Sequence, residues 1–138
     1  MTSDEALQAF GLPAAPAHRD ELRRLLAAAT ELEASGEGAG EEVLRTLCVQ
    51  LFSIGRVEDS LLIWAAKQSS FDAGCGLDVQ FLCGAGLGAT KQHLREHSST
   101  PGASQALSYL SACEQAGDFT DWTPQVTIAY HRNYYGLA

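Results

Sequence analysis

Basic charge is what this sequence has least of. Two lysines, Lys67 and Lys91, and seven arginines face seventeen acids, and the formal net charge is −8. Such a surface is a poor match for nucleic acid, whose binding depends on neutralising phosphates with Lys and Arg. Long apolar runs are missing too. None approaches the ~20 residues that a membrane-spanning helix needs. The opening MTSDEALQAF has no basic stretch followed by an apolar core, so it does not read as a secretory signal. Without that signal the four cysteines do not point to disulfides. The expectation is a soluble, cytoplasmic protein that engages neither nucleic acid nor membrane.

What is present is a globular composition. The chain has 138 residues, 46% hydrophobic and 19% charged, which suits one domain with a real core. The acids are unevenly placed. Residues 1–42 hold nine acids and three arginines, whereas residues 43–138 hold eight acids and six bases. The excess reads either as a solvated face or as an acidic surface for a basic partner.

Helical spacing dominates the chain. Residues 42–67 read as two helices joined at Gly55, a residue suited to a left-handed cap. Leu44, Leu47, Cys48 and Leu51 recur at three- and four-residue steps on one face, and Leu61, Leu62, Trp64 and Ala65 form a second stripe. Upstream, Thr2 and Glu5 form a capping box for a helix through Phe10, stopped by Gly11 and Pro13. A helix at 17–34 buries Leu22, Leu25, Leu26, Ala29 and Leu32. The glycine-rich loop at 35–40 is the expected point of protease cleavage. Downstream, Ser69 with Asp72 opens a helix over 71–85. Gly74, Gly76 and Gly84 weaken it by ~1 kcal/mol each against alanine, so it is either held by packing or broken. Helices at 89–97, 101–116 and 124–135 follow, the last two opened by Thr100–Pro101 and Thr123–Pro124.

Gly55, Gly86 and Gly117 fall 31 residues apart. Counting back from each, the inward positions are Ile54, Ala85 and Ala116; Leu51, Leu82 and Cys113; Cys48, Val79 and Leu110; and Leu44, Cys75 and Ala106. All are apolar. Asp59, Thr90 and Asp121 stand four residues after the glycines as candidate caps. The order Leu44, Leu47, Cys48, Leu51, Gly55, Ser60, Trp64 resembles a tetratricopeptide-type repeat over about 25 residues. The period of 31 is shorter than that family's ~34, Asp72 stands where its closing proline belongs, and Lys91 and Trp122 replace small residues in the later units. The resemblance implies stacked helical hairpins and a protein- or peptide-binding role.

Few residues offer chemistry. Residues 79–89, VQFLCGAGLGA, resemble a dinucleotide fingerprint, which needs a preceding strand and a parallel sheet. The other reading is a glycine-lined contact between helices with Gly86 as a cap. Cys75, Cys83, His93 and His97 have a spacing wider than a zinc knuckle needs, and Cys48, Cys75 and Cys113 read as small inward residues. Cys83 with His93 is the one nucleophile–base pair worth naming. No metal, cofactor or catalytic residue is assigned. Tyr130 and Tyr134 either pack a last helix on the core or join Trp122 in an interface patch.

The expected fold is all-α. It is a short solenoid-like array of about seven helices in stacked antiparallel hairpins, with an N-terminal helical cap at 1–40 and hairpins at 41–138. The expected function is a noncatalytic protein–protein interaction module whose exposed contacts come from Arg56, Trp122, Tyr130, Arg132 and Tyr135. An acidic inhibitor of a basic partner is the second reading. A small enzyme or nucleotide binder centred on residues 84–90 is the third.

Overall fold

Helical spacing governs the observed chain. The computed structural model describes residues 1–38 and 40–137. Ala39, inside the glycine-rich loop expected at 35–40, and Ala138 lie outside the described residues. The described residues form eight α-helices and no strand. The helices are α1 (Ser3–Phe10), α2 (Arg19–Ala34), α3 (Glu41–Ile54), α4 (Ser60–Lys67), α5 (Phe71–Gly76), α6 (Leu87–Glu96), α7 (Ala103–Gln115) and α8 (Pro124–Tyr134). Three 3-10 turns, Pro16–His18, Val57–Asp59 and Val79–Cys83, lie between them. No helix among the described residues is long and apolar enough to cross a membrane.

The other elements gather on α3, which is buried from Leu44 to Phe52 except at half-buried Arg45. A helix buried all round must be covered on every side. Here α1, α2, α5, α8 and the Val79–Cys83 turn all pack on it. Two of its polar residues, Thr46 and Gln50, are fully buried and hydrogen-bonded, although Gln50 Oε1 has no partner among the described residues. Gln50 Nε2 donates to the carbonyls of Ala6 (2.9 Å) and Gly11 (3.0 Å). The Thr46 hydroxyl lies 2.6 Å from Ser3 Oγ and 2.8 Å from the Tyr135 hydroxyl.

The local stop and start signals are met in part. Thr2 and Glu5 make both bonds of the capping box, at 2.8 and 3.1 Å. Gly55 ends α3 in the left-handed region with φ +85°, where a side chain would be strained. Thr123 and Pro124 open α8, although the Thr123 side chain makes no capping bond. Asp59 also makes none. Its carboxylate, 1% exposed, instead accepts Nε and Nη2 of Arg19 (3.0 and 2.8 Å) and Nη1 of Arg23, tying α2 to the α3–α4 link.

The largest departure is the helix expected over 71–85. It breaks after Gly76, because Leu77 and Asp78 are extended and Val79–Cys83 winds as a 3-10 turn. Three glycines over this span remove the local preference for a helix. Tertiary bonds then hold the broken form. The Lys67 ammonium donates to the carbonyls of Gly74 (2.6 Å) and Leu77, which frees the chain from continuing the helix. Its cap is Ser70, which accepts from Ala73 N at 3.0 Å, rather than Ser69. The helix expected to open at Pro101 begins at Ala103, after a left-handed Gly102. The 31-residue pattern is also only partly inward. Gly55, Gly86 and Gly117 all have positive φ, but Cys75, Ala85 and Ala116 are exposed and the chain before Gly86 is not an α-helix. Leu32, expected in the buried stripe of α2, is 47% exposed.

Candidate functional site

The last helix has two faces that its spacing makes plain. Thr127 and His131, four apart, turn inward and are buried. Val126, Tyr130 and Tyr134 stand at steps of four on another face and are 50%, 64% and 51% exposed. The tyrosines therefore do not pack on the core, and the inward place in this turn belongs to His131. Its Nδ1 lies 2.9 Å from the Thr127 carbonyl, and its ring sits 5.1 Å from that of Phe81. Phe81 is fully buried and holds the floor of this region.

Beside the exposed face run two adjoining hollows of about 220 and 230 Å³. They share Asp78, Tyr130 and His131. Arg45, Cys75, Gly76 and Tyr134 complete one, and Gln80, Trp122, Val126 and Thr127 complete the other. Each is smaller than the roughly 300–1,000 Å³ of a small-molecule site. A hollow of this size suits a side chain. The break after α5 creates it, because an unbroken helix over 71–85 would not carry Asp78 out in an extended link.

Each lining group has a fixed support. Asp121 adopts φ +54°, a conformation that Asp tolerates better than most residues, and turns the chain into Trp122. Trp122 is half-buried against Phe52 (6.4 Å) and Phe119 (5.3 Å), and its Nε1 donates to Thr127 Oγ1 at 2.8 Å. Gln80 Nε2 donates to the Asp118 carbonyl at 2.8 Å, which ties the 3-10 turn to the loop before Trp122. Arg45 pairs with Glu41 at 2.7 Å, donates to the Gly76 carbonyl at 3.2 Å and reaches the Tyr134 hydroxyl at 3.3 Å. Its charge is thus neutralised within the protein. Asp78 is exposed and makes no ion pair among the described residues. The groove therefore offers aromatic faces around one open carboxylate.

Of the five residues picked out by sequence, Trp122 and Tyr130 line this groove. Arg56 is exposed elsewhere and pairs with Glu58 at 3.1 Å. Arg132 is half-buried, and its Nη1 donates to the Leu12 carbonyl. Tyr135 is half-buried with its hydroxyl on Thr46, and burial raises its phenol above the usual range. These last two bind the end of α8 and the residue after it to the turn that follows α1 and to α3. Sequence reading missed Asp78, Gln80 and Arg45. Tyr134 is named with Tyr130 under both readings of the last helix, and Val126 could have been found from the four-residue step that leads away from Tyr130.

The residues considered for chemistry are dispersed. Cys83 is fully buried, and burial pushes its thiol up to about 12, with the Thr90 hydroxyl offsetting a little. A thiol held protonated in this way is a poor nucleophile. His93 and His97 stack at 4.2 Å on α6, and His97 Nδ1 contacts the His93 carbonyl at 2.8 Å. Among the described residues no group of three or more His, Cys, Asp or Glu could hold a metal. In the glycine-rich stretch, Gly84 faces α3: a Cβ there would stand 2.5 Å from the Phe52 carbonyl oxygen. Gly86, with φ +99°, caps the start of α6. The dinucleotide fingerprint needs a strand where Val79–Cys83 forms a 3-10 turn. No family model, no curated protein and no solved structure matches the chain.

Proposed function

We propose that the protein is a noncatalytic protein-interaction module that seats a basic segment of a partner against α8. The supporting observation is the exposed Val126–Tyr130–Tyr134 face beside the open carboxylate of Asp78. A lysine or arginine entering the groove would lie over tyrosine faces and meet Asp78. Contacts of these kinds contribute about 0.5–2 and 0.2–1 kcal/mol respectively. The net charge of −8 adds long-range attraction for a basic partner.

In this reading the helices form stacked antiparallel hairpins in the manner of a short tetratricopeptide-like array. Consecutive helices α2 and α3, α3 and α4, and α6 and α7 do pack on one another, and Gly55 turns the second of these pairs. The reading also puts the protein in the cytoplasm. All four cysteines are free and Cys75 is exposed, which suits a reducing compartment. The charge favours a second reading, an acidic inhibitor of a basic protein. The two separate on rate: an inhibitor steered by charge loses association rate steeply with salt.

The test is a titration with a short Leu-Lys-Leu peptide, followed through backbone amide NMR shifts. Shifts should gather at Asp78, Tyr130 and His131. Asp78→Asn and Tyr130→Ala should each weaken binding about five- to tenfold, or roughly 1 kcal/mol. The glutamine-for-lysine peptide should not bind. Shifts scattered over the surface, or unaltered by both substitutions, would reject the reading.

A further inference from the structure

The exposure of Leu32 is not isolated. Leu25, Ala28 and Leu32 form a stripe along α2 at three- and four-residue steps, and its Ala28 and Leu32 stay exposed among the described residues. Opposite it stand Val43 and Leu47 of α3. Between the helices lies an apolar groove of about 180 Å³, with Met1, which is 54% exposed, among its lining residues. At Met1 and Val43 the groove opens into a wider hollow of about 380 Å³ whose lip carries Asp4 and Glu42. Val43 and Arg45 are two residues apart on α3, about 160° round the helix. This groove is therefore separate from the one beside α8.

Three features define what would fill it. The first is shape. Small residues, Ala28 above all, line one wall, so a third helix could approach α2 to the 8–10 Å at which helices pack. The second is chemistry: the walls are apolar, so the incoming face must present leucine-like residues at helical spacing. The third is charge. Residues 1–42 carry nine acids against three arginines. Those arginines are already engaged, Arg19 and Arg23 with Asp59 and Arg24 with Glu21 at 3.6 Å. No arginine of this stretch is left free to receive an acidic partner, and at the mouth Asp4 and Glu42 outnumber the amino terminus of Met1. A second copy of this chain would bring the same acids to the same lip, and an anionic membrane would be repelled in the same way.

We propose that the α2–α3 groove is a second docking site, and that it takes a basic amphipathic helix from a partner protein. Apolar residues of that helix fill the gap between Leu32 and Val43, and its Lys or Arg residues meet Asp4 and Glu42. The site does not rest on the reading of α8, so each can fail alone.

The probe is a synthetic helical peptide of about 16 residues, long enough for four turns, with leucines on one face and lysines elsewhere. Two controls have glutamate in place of lysine, or the same residues with the leucine spacing scrambled. Binding is read by calorimetry. The Leu/Lys peptide should bind, and both controls should bind at least tenfold more weakly. Ala28→Trp, which plugs the groove from an exposed position, should weaken the Leu/Lys peptide at least tenfold. Should that variant fail to fold by circular dichroism, Leu32→Lys serves instead, removing an apolar contact and opposing the peptide's charge. Asp4→Asn with Glu42→Gln should weaken binding several-fold at low salt and less at high salt. Because a Leu/Lys peptide also suits the groove beside α8, every titration is made in a Tyr130→Ala background, which weakens that site and leaves this one to be read. Equal binding of the scrambled or glutamate peptide would overturn the proposal. So would indifference to the groove substitutions, absence of any binding in the Tyr130→Ala background, or a dimer in solution whose formation blocks the peptide.

Discussion

The two flanks of α3 are held in different ways. On the side of α1 and α2, the neighbours are regular helices and the specific ties are polar: Gln50 to two carbonyls, Thr46 to Ser3, and Asp59 to Arg19 and Arg23. On the side of the Val79–Cys83 turn and α8, Arg45 and Thr46 make polar ties at the edge, to Gly76, Tyr134 and Tyr135, and the centre is held by shape. Phe52 meets Phe81 at 6.0 Å and Trp122 at 6.4 Å, and Gly84 lets two backbones touch. A regular helix satisfies its own backbone, so side chains must fix how it sits on its neighbour. A broken segment cannot be positioned by its period, so large rings and a missing Cβ do that work. The shape-held flank is also where the aromatic groove opens, because the break that removed a helix left room beside α8.

Disrupting the polar flank should have the largest effect. Asp59→Ala leaves Arg19 and Arg23 without the carboxylate that both of them bind. Removing one partner of a buried ion pair costs about 3–5 kcal/mol. Both arginines keep some solvent contact, 20% and 38% by side chain, so about 3 kcal/mol is expected. Urea denaturation should show a lower midpoint at unchanged slope. A loss below 1 kcal/mol would mean that the polar ties only decorate a flank held by packing. The shape-held flank should yield somewhat less. In Gly84→Ala the new Cβ meets the Phe52 carbonyl oxygen, a backbone atom that cannot swing aside. Overpacking of this kind costs about 1–3 kcal/mol. Gly88→Ala, four residues on and inside α6, meets nothing within 4 Å, so it should stabilise by up to about 1 kcal/mol. Opposite signs for one substitution at two nearby glycines would confirm that Gly84 is a contact. Matching signs would sink that account.

The contrast also explains what could be read from the sequence. The helices of the polar flank were legible because period and caps agree there, as in Thr2 with Glu5 and in α3 ending at Gly55. The all-α class followed from such stretches. The break at Gly76 was only half legible. Its glycines showed weakness, but the Lys67 ammonium that fixes the outcome acts across tertiary space. Asp78 was missed for the same reason, since no local signal marks a residue that the break turns outward. Tyr130 and Tyr134 were ambiguous because a four-residue step fits a buried stripe as well as an exposed one. Only the placement of His131 decides between them.

The last comparison, which only alkaline pH brings out, sets the flanks against each other through their thiols. Cys48 on α3 and Cys83 in the 3-10 turn are both fully buried, and burial raises both thiols, Cys83 to about 12. An unfolded thiol releases its proton near 9.0. Below that pH both states hold the proton and nothing changes. Above it the unfolded chain ionises first, so stability falls by up to about 1.4 kcal/mol per pH unit per thiol. Lys67 opposes this. Burial lowers its amine, so the unfolded chain keeps that proton up to 10.5 while the folded one releases it, and stability rises with pH in that window. Two thiols outweigh one amine, and stability should decline above pH 9. Urea midpoints at pH 8, 9 and 10 under reducing conditions measure the slope. Cys48→Ala and Cys83→Ala should flatten it by similar amounts if both flanks stay closed. If the shape-held flank opens locally, Cys83 ionises without global unfolding, and its removal flattens the slope far less than the removal of Cys48.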